Sequence, residues 1–209
     1  MRPLEARGIP RDDGVNGDAV AAIRAGRVVV LPTDTVYGLV ADAYRAAGRD
    51  ALYALKGRDI QQPSALVAAS VEVLLECVPE LPAQMVGALL PGPFTLLLSN
   101  PAVRFAWLCG SDPSTIGVRV PAFLGPGRDV LDQVGVVVAT SANLPGGAEP
   151  RRLDDVPESL RAAAAAVVDG GELPGIPSTI LDLTGPEPRV VREGAGDAAT
   201  ALAIVALLR

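Results

Sequence analysis

The chain is punctuated by short aliphatic runs rich in β-branched residues, and this pattern restricts its fold more than any other feature. Such runs predict strands over residues 28–31, 64–70, 94–98, 116–120, 135–140, 180–183 and 189–192. The spacing of apolar residues predicts helices or helical turns over residues 17–25, 45–55, 71–78, 82–90, 130–134, 159–166 and 198–208. We therefore expect an α/β fold. Because several strands follow one another without a helix between them, we expect a twisted mixed sheet flanked by helices.

The core of such a fold has to be aliphatic in this chain. Of the 209 residues, 49% are hydrophobic but only 3% are aromatic, so valine, leucine, isoleucine and alanine must fill the interior. This length fits one domain of ordinary size. We expect residues 1–14 to form a polar N-terminal extension and residues 15–209 to form a single catalytic domain.

Charge and residue inventory exclude several classes of function. The net charge of −6 argues against a general polyanion-binding surface, and the absence of histidine excludes imidazole bases, histidine triads and most catalytic zinc sites. Cys77 and Cys109 are too few for a disulfide scaffold. No apolar stretch reaches the roughly 18 residues of a membrane span, and the N-terminus has no apolar signal core. We therefore expect free thiols in a reducing cytosol, a cytoplasmic location and no membrane contact.

Several predicted strands end in small polar or cationic side chains, and a predicted helix closes with two cations. Ligands of open α/β sheets bind where the loops at strand ends diverge, so this set could orient a ligand with carboxylate and phosphate groups. Lys56 is the only lysine among 18 basic residues, so an arginine-rich chain has kept the compact ammonium group here. The set comprises Thr33, Lys56, Arg58, Arg119, Thr140, Ser141, Asn143, Ser178 and Arg192.

Each member of this set also has a purely structural interpretation. Ser141 and Ser178 could belong to turns. Arg119 could point to solvent from an edge strand. Lys56 and Arg58 could complement the dipole at the C-terminus of the preceding helix.

Seven segments, in order between residues 32 and 194, resemble the motifs of the YrdC-like L-threonylcarbamoyladenylate synthase family. One such segment is weak evidence, but seven in the family's order are specific. They are PTDTVYGL at 32–39, Lys56-Gly57-Arg58 with Pro63, PGPFT at 91–95, GVRVP at 117–121, SAN at 141–143 with Gly146, STILD at 178–182, and REG at 192–194.

The resemblance implies a YrdC-like fold with a large concave ligand groove, in the short, single-domain form. It implies a nucleotidyltransferase that converts L-threonine, bicarbonate and ATP into threonylcarbamoyl-AMP and pyrophosphate. That product feeds threonylcarbamoyladenosine formation in tRNA. The implied partners are therefore downstream tRNA threonylcarbamoyl-transfer proteins, and a contact with tRNA itself is compatible with this role. Mg²⁺ is expected to enter with ATP, with no metal ligand from protein side chains.

By motif position, the resemblance also implies which residues bind each substrate. Thr33, Arg119 and Ser178 would bind L-threonine, and Lys56 and Arg58 would be catalytic. A histidine-free chain suits this chemistry, because a carbamate formed from threonine is itself the nucleophile that attacks the α-phosphorus. The implied ATP site comprises Lys56, Arg58, Gln62, Thr115, Ser141, Asn143 and Arg192.

Two positions depart from the family pattern. Gln62 stands where many members have asparagine, and Val67 stands where many have a histidine. Two alternative functions remain open. One is a YrdC-like protein that binds RNA or nucleotide without forming the adenylate. The other is an enzyme that forms a related carbamoyl adenylate from a different carbamoyl donor.

Overall fold

The structure is a computed structural model that describes residues 13–209, and its centre is one nine-stranded sheet. The strands are β1 (Val29–Pro32), β2 (Tyr37–Asp42), β3 (Ala65–Ala68), β4 (Phe94–Ser99), β5 (Thr115–Arg119), β6 (Val136–Ser141), β7 (Ala166–Val167), β8 (Thr179–Asp182) and β9 (Arg189–Arg192). The helices are α1 (Asp13–Arg24), α2 (Ala46–Lys56), α3 (Val71–Cys77), α4 (Ala83–Leu89), α5 (Pro126–Val134), α6 (Glu158–Ala163) and α7 (Ala198–Leu207).

The sheet is mixed, as the sequence predicts. Its strands lie in the order β7-β1-β2-β6-β3-β5-β4-β8-β9. The pairs β1/β7, β3/β5 and β4/β8 are parallel, and the remaining neighbours are antiparallel. The predicted α/β class is therefore confirmed.

Strand β2 is the main element that the sequence interpretation missed. The sequence predicts no strand between residues 31 and 64, but β1 and β2 form a hairpin in which Leu31 pairs with Gly38. Every residue of β2 is buried, so its sequence does not show the alternation of a half-exposed strand. Two smaller differences are that α5 begins earlier, at Pro126, and that the predicted helix over 159–166 ends early and leads into β7.

Both faces of the sheet are buried, but by different groups of helices. In β1, Val29 and Leu31 pack in one cluster with residues of α1 and α5, whereas Val30 packs in the other, with residues of α2, α3, α4 and α7. This division follows from the two-residue period of a strand. Helices α1 and α5 pack against β1, β2, β6 and β7. On the same face of the sheet, residues of β5, β4 and β8 line a cavity.

The ends of the chain were predicted only in part. The expected N-terminal extension, residues 1–14, lies outside the described residues apart from its last two positions, where α1 has already begun. Gly26, two residues after the end of α1, adopts a left-handed φ of 75°. None of the helices within residues 13–209 is long and apolar enough to cross a membrane.

Two helical glycines provide a matched test of how closely α2 packs. A Cβ at Gly48 in α2 would lie 2.1 Å from the carbonyl oxygen of Asp42, whereas a Cβ at Gly87 in α4 would meet nothing within 4 Å. We expect Gly48→Ala to lower the free energy of unfolding by about 1–3 kcal/mol through overpacking. Gly87→Ala should raise it by about 0.5–1 kcal/mol through helix propensity. Urea denaturation of both variants checks this, and shifts of the same sign would contradict the close approach of α2 to β2.

Candidate functional site

A cavity of about 370 Å³ opens on the sheet face that α1 and α5 leave uncovered. Its floor is formed by small residues on neighbouring strands: Ala139 of β6 pairs with Ala65 of β3, and a Cβ at Gly117 of β5 would lie 3.8 Å from the Cα of Ala65. Larger side chains at these positions would fill the space. The cavity therefore follows directly from the sequence of three adjacent strands.

Lys56 forms one end of this cavity. Helix α2 ends at Lys56, and Gly57 takes a left-handed φ of 64° that turns the chain away. The Lys56 Nζ donates to the carbonyl of Ser141 at 2.6 Å and to Thr140 Oγ1 and Asn143 Oδ1, each at 3.1 Å. Burial, together with the charge of Arg58, lowers the pKa of Lys56 to about 8, although the carboxylate of Glu149 opposes this.

Arg58 lies beside Lys56 and shares one of its acceptors. Its Nη1 donates to Thr140 Oγ1 at 3.1 Å, its Nη2 donates to the carbonyl of Pro63 at 2.5 Å, and its guanidinium lies over the ring of Tyr53. The buried Nε finds no acceptor within residues 13–209. Both cations thus reach towards the end of β6, so the interpretation that they only complement a helix dipole is wrong. Two adjacent cations with an unused donor form an anion-binding end.

Arg119 forms a second cationic end. It lies on β5, which is an interior strand between β3 and β4, so the edge-strand interpretation is wrong. Its Nη2 donates to the carboxylate of Asp34 and, at 2.8 Å, to Thr35 Oγ1. The other oxygen of Asp34 accepts the N–H of Ala122 at 3.1 Å. Burial lowers the pKa of Arg119, and the ion pair with Asp34 opposes this shift.

Two hydroxyls and a further arginine line the wall near Arg119. Ser178 Oγ and Thr95 Oγ1 are 2.8 Å apart. Arg192 of β9 donates to the carbonyl of Ser178 at 2.7 Å, and its charge acts on Arg119 by lowering the pKa of that group. Arg192 therefore lies on the same side as the predicted threonine-binding residues, not beside Lys56. Its predicted role in ATP binding stays a prediction.

The cavity brings together most of the predicted site residues but leaves three outside its wall. Asn143 lies behind Lys56, where it accepts hydrogen bonds from Lys56 and from Ser141 Oγ. Gln62 is exposed, and Thr115 lies at the opposite end of β5 from Arg119, with its hydroxyl donating to Asp112 at 2.8 Å. The predicted residues in the wall are Thr33, Lys56, Arg58, Arg119, Thr140, Ser141, Ser178 and Arg192.

Three residues that belong to the site were missed as site residues. Asp34 was visible in the polar run that follows β1, but its partner Arg119 is 85 positions away in the chain. Thr95 and Glu149 both line the cavity; Thr95 ends the PGPFT segment, whereas no local pattern marks Glu149. Val67, which departs from the family pattern, also lines the cavity and pairs in register with Arg119.

Comparisons with known proteins agree with the predicted resemblance. The sequence matches the family model Sua5_yciO_yrdC, described as "Telomere recombination", over residues 21–194. A Mycobacterium tuberculosis H37Rv protein, provisionally named a threonylcarbamoyl-AMP synthase, is 36% identical over 183 residues, which cover 84% of this chain and 82% of that protein. The human threonylcarbamoyl-AMP synthase is 34% identical over 178 residues, covering 80% of this chain and 62% of the human protein.

The fold is shared with a solved structure as well. The crystal structure of P. abyssi Sua5 complexed with L-threonine superposes with a TM-score of 0.85 and 28% sequence identity. The superposition covers 95% of this chain and 59% of the Sua5 chain. The predicted YrdC-like fold class is therefore confirmed.

The lowered pKa of Lys56 predicts how pH controls anion binding at its end of the cavity. The Lys56 ammonium group is charged below a pH of about 8 and progressively loses its proton above that value. We expect the dissociation constant of tripolyphosphate to rise between pH 7.5 and 9.5. Isothermal titration calorimetry checks this, with Lys56→Met as the control whose weaker binding should lack this rise. A wild-type profile as flat as that of the variant would contradict the prediction.

Proposed function

This chain belongs to the Sua5/YciO/YrdC family, and we propose that it is a threonylcarbamoyl-AMP synthase, a nucleotidyltransferase that uses L-threonine, bicarbonate and ATP. The observation that carries the proposal is one cavity with two cationic ends, Lys56 with Arg58 and Arg119 with Arg192. One end suits a triphosphate and the other suits an amino-acid carboxylate. The activity named for the relatives and the threonine complex of Sua5 support the same assignment.

Arg119 is proposed to bind the carboxylate of L-threonine. Its Nη2 is held by Asp34 and Thr35, its buried Nε has no acceptor within residues 13–209, and the residue lines the cavity. The hydroxyls of Thr33 and Ser178 line the same cavity and offer polar partners to the amino acid. The apolar wall at Val67 suits the threonine methyl group.

Lys56 and Arg58 are proposed to neutralise the triphosphate. The amine of threonine combines with bicarbonate to give a carbamate and water. A carbamate oxygen then forms a bond to the α-phosphorus, and the bond from that phosphorus to the bridging oxygen breaks, so pyrophosphate leaves with the electron pair. No side-chain nucleophile takes part, and catalysis rests on positioning the two substrates and stabilising developing negative charge.

Mg²⁺ is proposed as the ion that accompanies ATP. Within the described part of the chain, no group of three or more acidic, histidine or cysteine side chains could hold an ion by itself. The phosphates must therefore supply most of its ligands, as is usual for Mg²⁺ in nucleotide sites. When bound, the ion offsets part of the negative charge of the triphosphate.

The product implies the partners. Threonylcarbamoyl-AMP is a mixed anhydride, so a protein that transfers the threonylcarbamoyl group to tRNA is the proposed recipient, and the cytosol is where we expect the chain to act. A net charge of −6 makes binding of tRNA over a broad surface less favourable.

Threonine-dependent release of pyrophosphate is the direct test of this function. We expect release with L-threonine, bicarbonate, ATP and Mg²⁺, and little with L-serine or carbamoyl phosphate. Lys56→Met should lower kcat/KM by about 100-fold, because it removes a buried positive charge from the triphosphate end. Arg27→Met, which removes an exposed arginine outside the cavity, is the control. Release without any dependence on threonine would refute the substrate. Tight RNA binding without release would favour the RNA-binding alternative.

Asp34 is predicted to act as a positioning residue for threonine binding. Asp34→Asn removes the charge that holds the Arg119 guanidinium while keeping the shape of the side chain. We expect KM for threonine to rise about tenfold with a smaller change in kcat, because orientation of the ligand-binding group is lost. Steady-state kinetics checks this, with the exposed Asp18→Asn as the matched control. Tighter threonine binding by Asp34→Asn would instead identify Asp34 as a competitor for Arg119.

A further inference from the structure

Glu149 is the acidic side chain in a cavity wall that otherwise carries cations and neutral groups. Its Oε2 is buried, and no donor within residues 13–209 reaches it. Asp34, by comparison, is satisfied by Arg119 and by a backbone N–H. A buried carboxylate oxygen without a partner is costly, so a cationic ligand is the natural candidate to supply one.

The position of Glu149 is fixed by anchors on both sides. Before it, Asn143 Nδ2 donates to the carbonyl of Gly147 at 2.8 Å. After it, the carbonyl of Pro150 accepts the N–H of Tyr37 at 3.0 Å. The carboxylate is thus presented to the cavity by a segment tied to the ends of β2 and β6.

The charge of Glu149 acts at the Lys56 end of the cavity. It opposes the lowering of the Lys56 pKa, whereas the pKa of Arg119 is affected by the charges of Asp34 and Arg192. Lys56 nevertheless directs its hydrogen bonds to Thr140, Ser141 and Asn143 rather than to this carboxylate. Glu149 therefore lies where the triphosphate is proposed to bind, and its own charge remains available.

We propose that Glu149 is a direct protein ligand of the divalent cation that enters with the nucleotide. Mg²⁺ in nucleotide sites is commonly held by one or two carboxylates together with substrate phosphates, and Glu149 supplies one such carboxylate. This inference rests on the proposed function, and it replaces the expectation that no protein side chain binds the metal. The ammonium group of threonine is the other cation that could bind Glu149. It is less suited, because the carboxylate of threonine is assigned to Arg119, at the other end of the cavity.

Binding of Mn²⁺ to the full chain with a non-hydrolysable ATP analogue tests the proposal without relying on turnover. Electron paramagnetic resonance titration should show about tenfold weaker Mn²⁺ binding for Glu149→Gln than for wild type. Glu149→Asp keeps the charge on a side chain one methylene shorter, so its Mn²⁺ affinity should be intermediate. This variant provides the test if Glu149→Gln does not fold. Glu187→Gln, an exposed glutamate outside the cavity, should bind like wild type. Melting temperatures of all variants establish that the fold is kept.

Mn²⁺ affinity in Glu149→Gln equal to that of wild type would overturn the proposal. If the KM for threonine also rises in that variant, the carboxylate is assigned to the ammonium group of threonine instead. Pyrophosphate release by wild type separates this proposal from the proposed function. If wild type is active but its metal binding does not depend on Glu149, only the role of Glu149 as a metal ligand is refuted. If metal binding depends on Glu149 but wild type shows no threonine-dependent release of pyrophosphate, only the proposed function is refuted, and the role of Glu149 as a metal ligand is supported.

Discussion

Burial of cationic side chains at strand ends is the constraint on which the cavity depends. A buried cation is costly unless fixed acceptors surround it. Lys56 meets this requirement through three oxygen atoms at the exit of β6, and Arg119 meets it through Asp34 and Thr35. Nε of Arg58, beside Lys56, and Nε of Arg119 nevertheless have no acceptor in the described chain. Each end of the cavity therefore keeps one guanidinium donor that the protein does not satisfy.

The stretch from Leu31 to Arg58 connects the two ends. Its hairpin turn supplies Asp34, which reaches Arg119, and α2 then carries Lys56 to the opposite end of the cavity. The stretch is held firmly along its length. The Tyr37 hydroxyl lies 2.9 Å from the carboxylate of Asp169, and burial raises its pKa to about 12. Because α2 approaches the end of β2 so closely that Gly48 has no room for a side chain, the distance between the two ends is set by packing rather than by a flexible link.

Local pattern was enough to predict most strands, because β-branched runs mark them, and enough to select Lys56, Arg58, Arg119 and Ser178. It could not predict what depends on register between distant segments, such as the Asp34–Arg119 pair or the placement of Glu149. Thr115 illustrates the limit. It shares a strand with Arg119, but the two residues are four positions and therefore about 13 Å apart along that strand, and only Arg119 reaches the cavity. Strand β2 was missed because burial on both faces removes the alternation by which a strand is recognised.

The chemistry of the Lys56 end also explains why the single lysine of the chain lies there. Three acceptor oxygens within 3.1 Å of Nζ surround a compact ammonium group, and a planar guanidinium could not direct its donors into the same space. A lysine also responds to its surroundings in a way that arginine does not. Since burial lowers its pKa to about 8, binding of a polyanion that restores the charge must be accompanied by proton uptake when the pH exceeds that value. The Lys56 end of the cavity is therefore coupled to pH through a protein group, whereas the Arg119 end is held by its ion pair with Asp34.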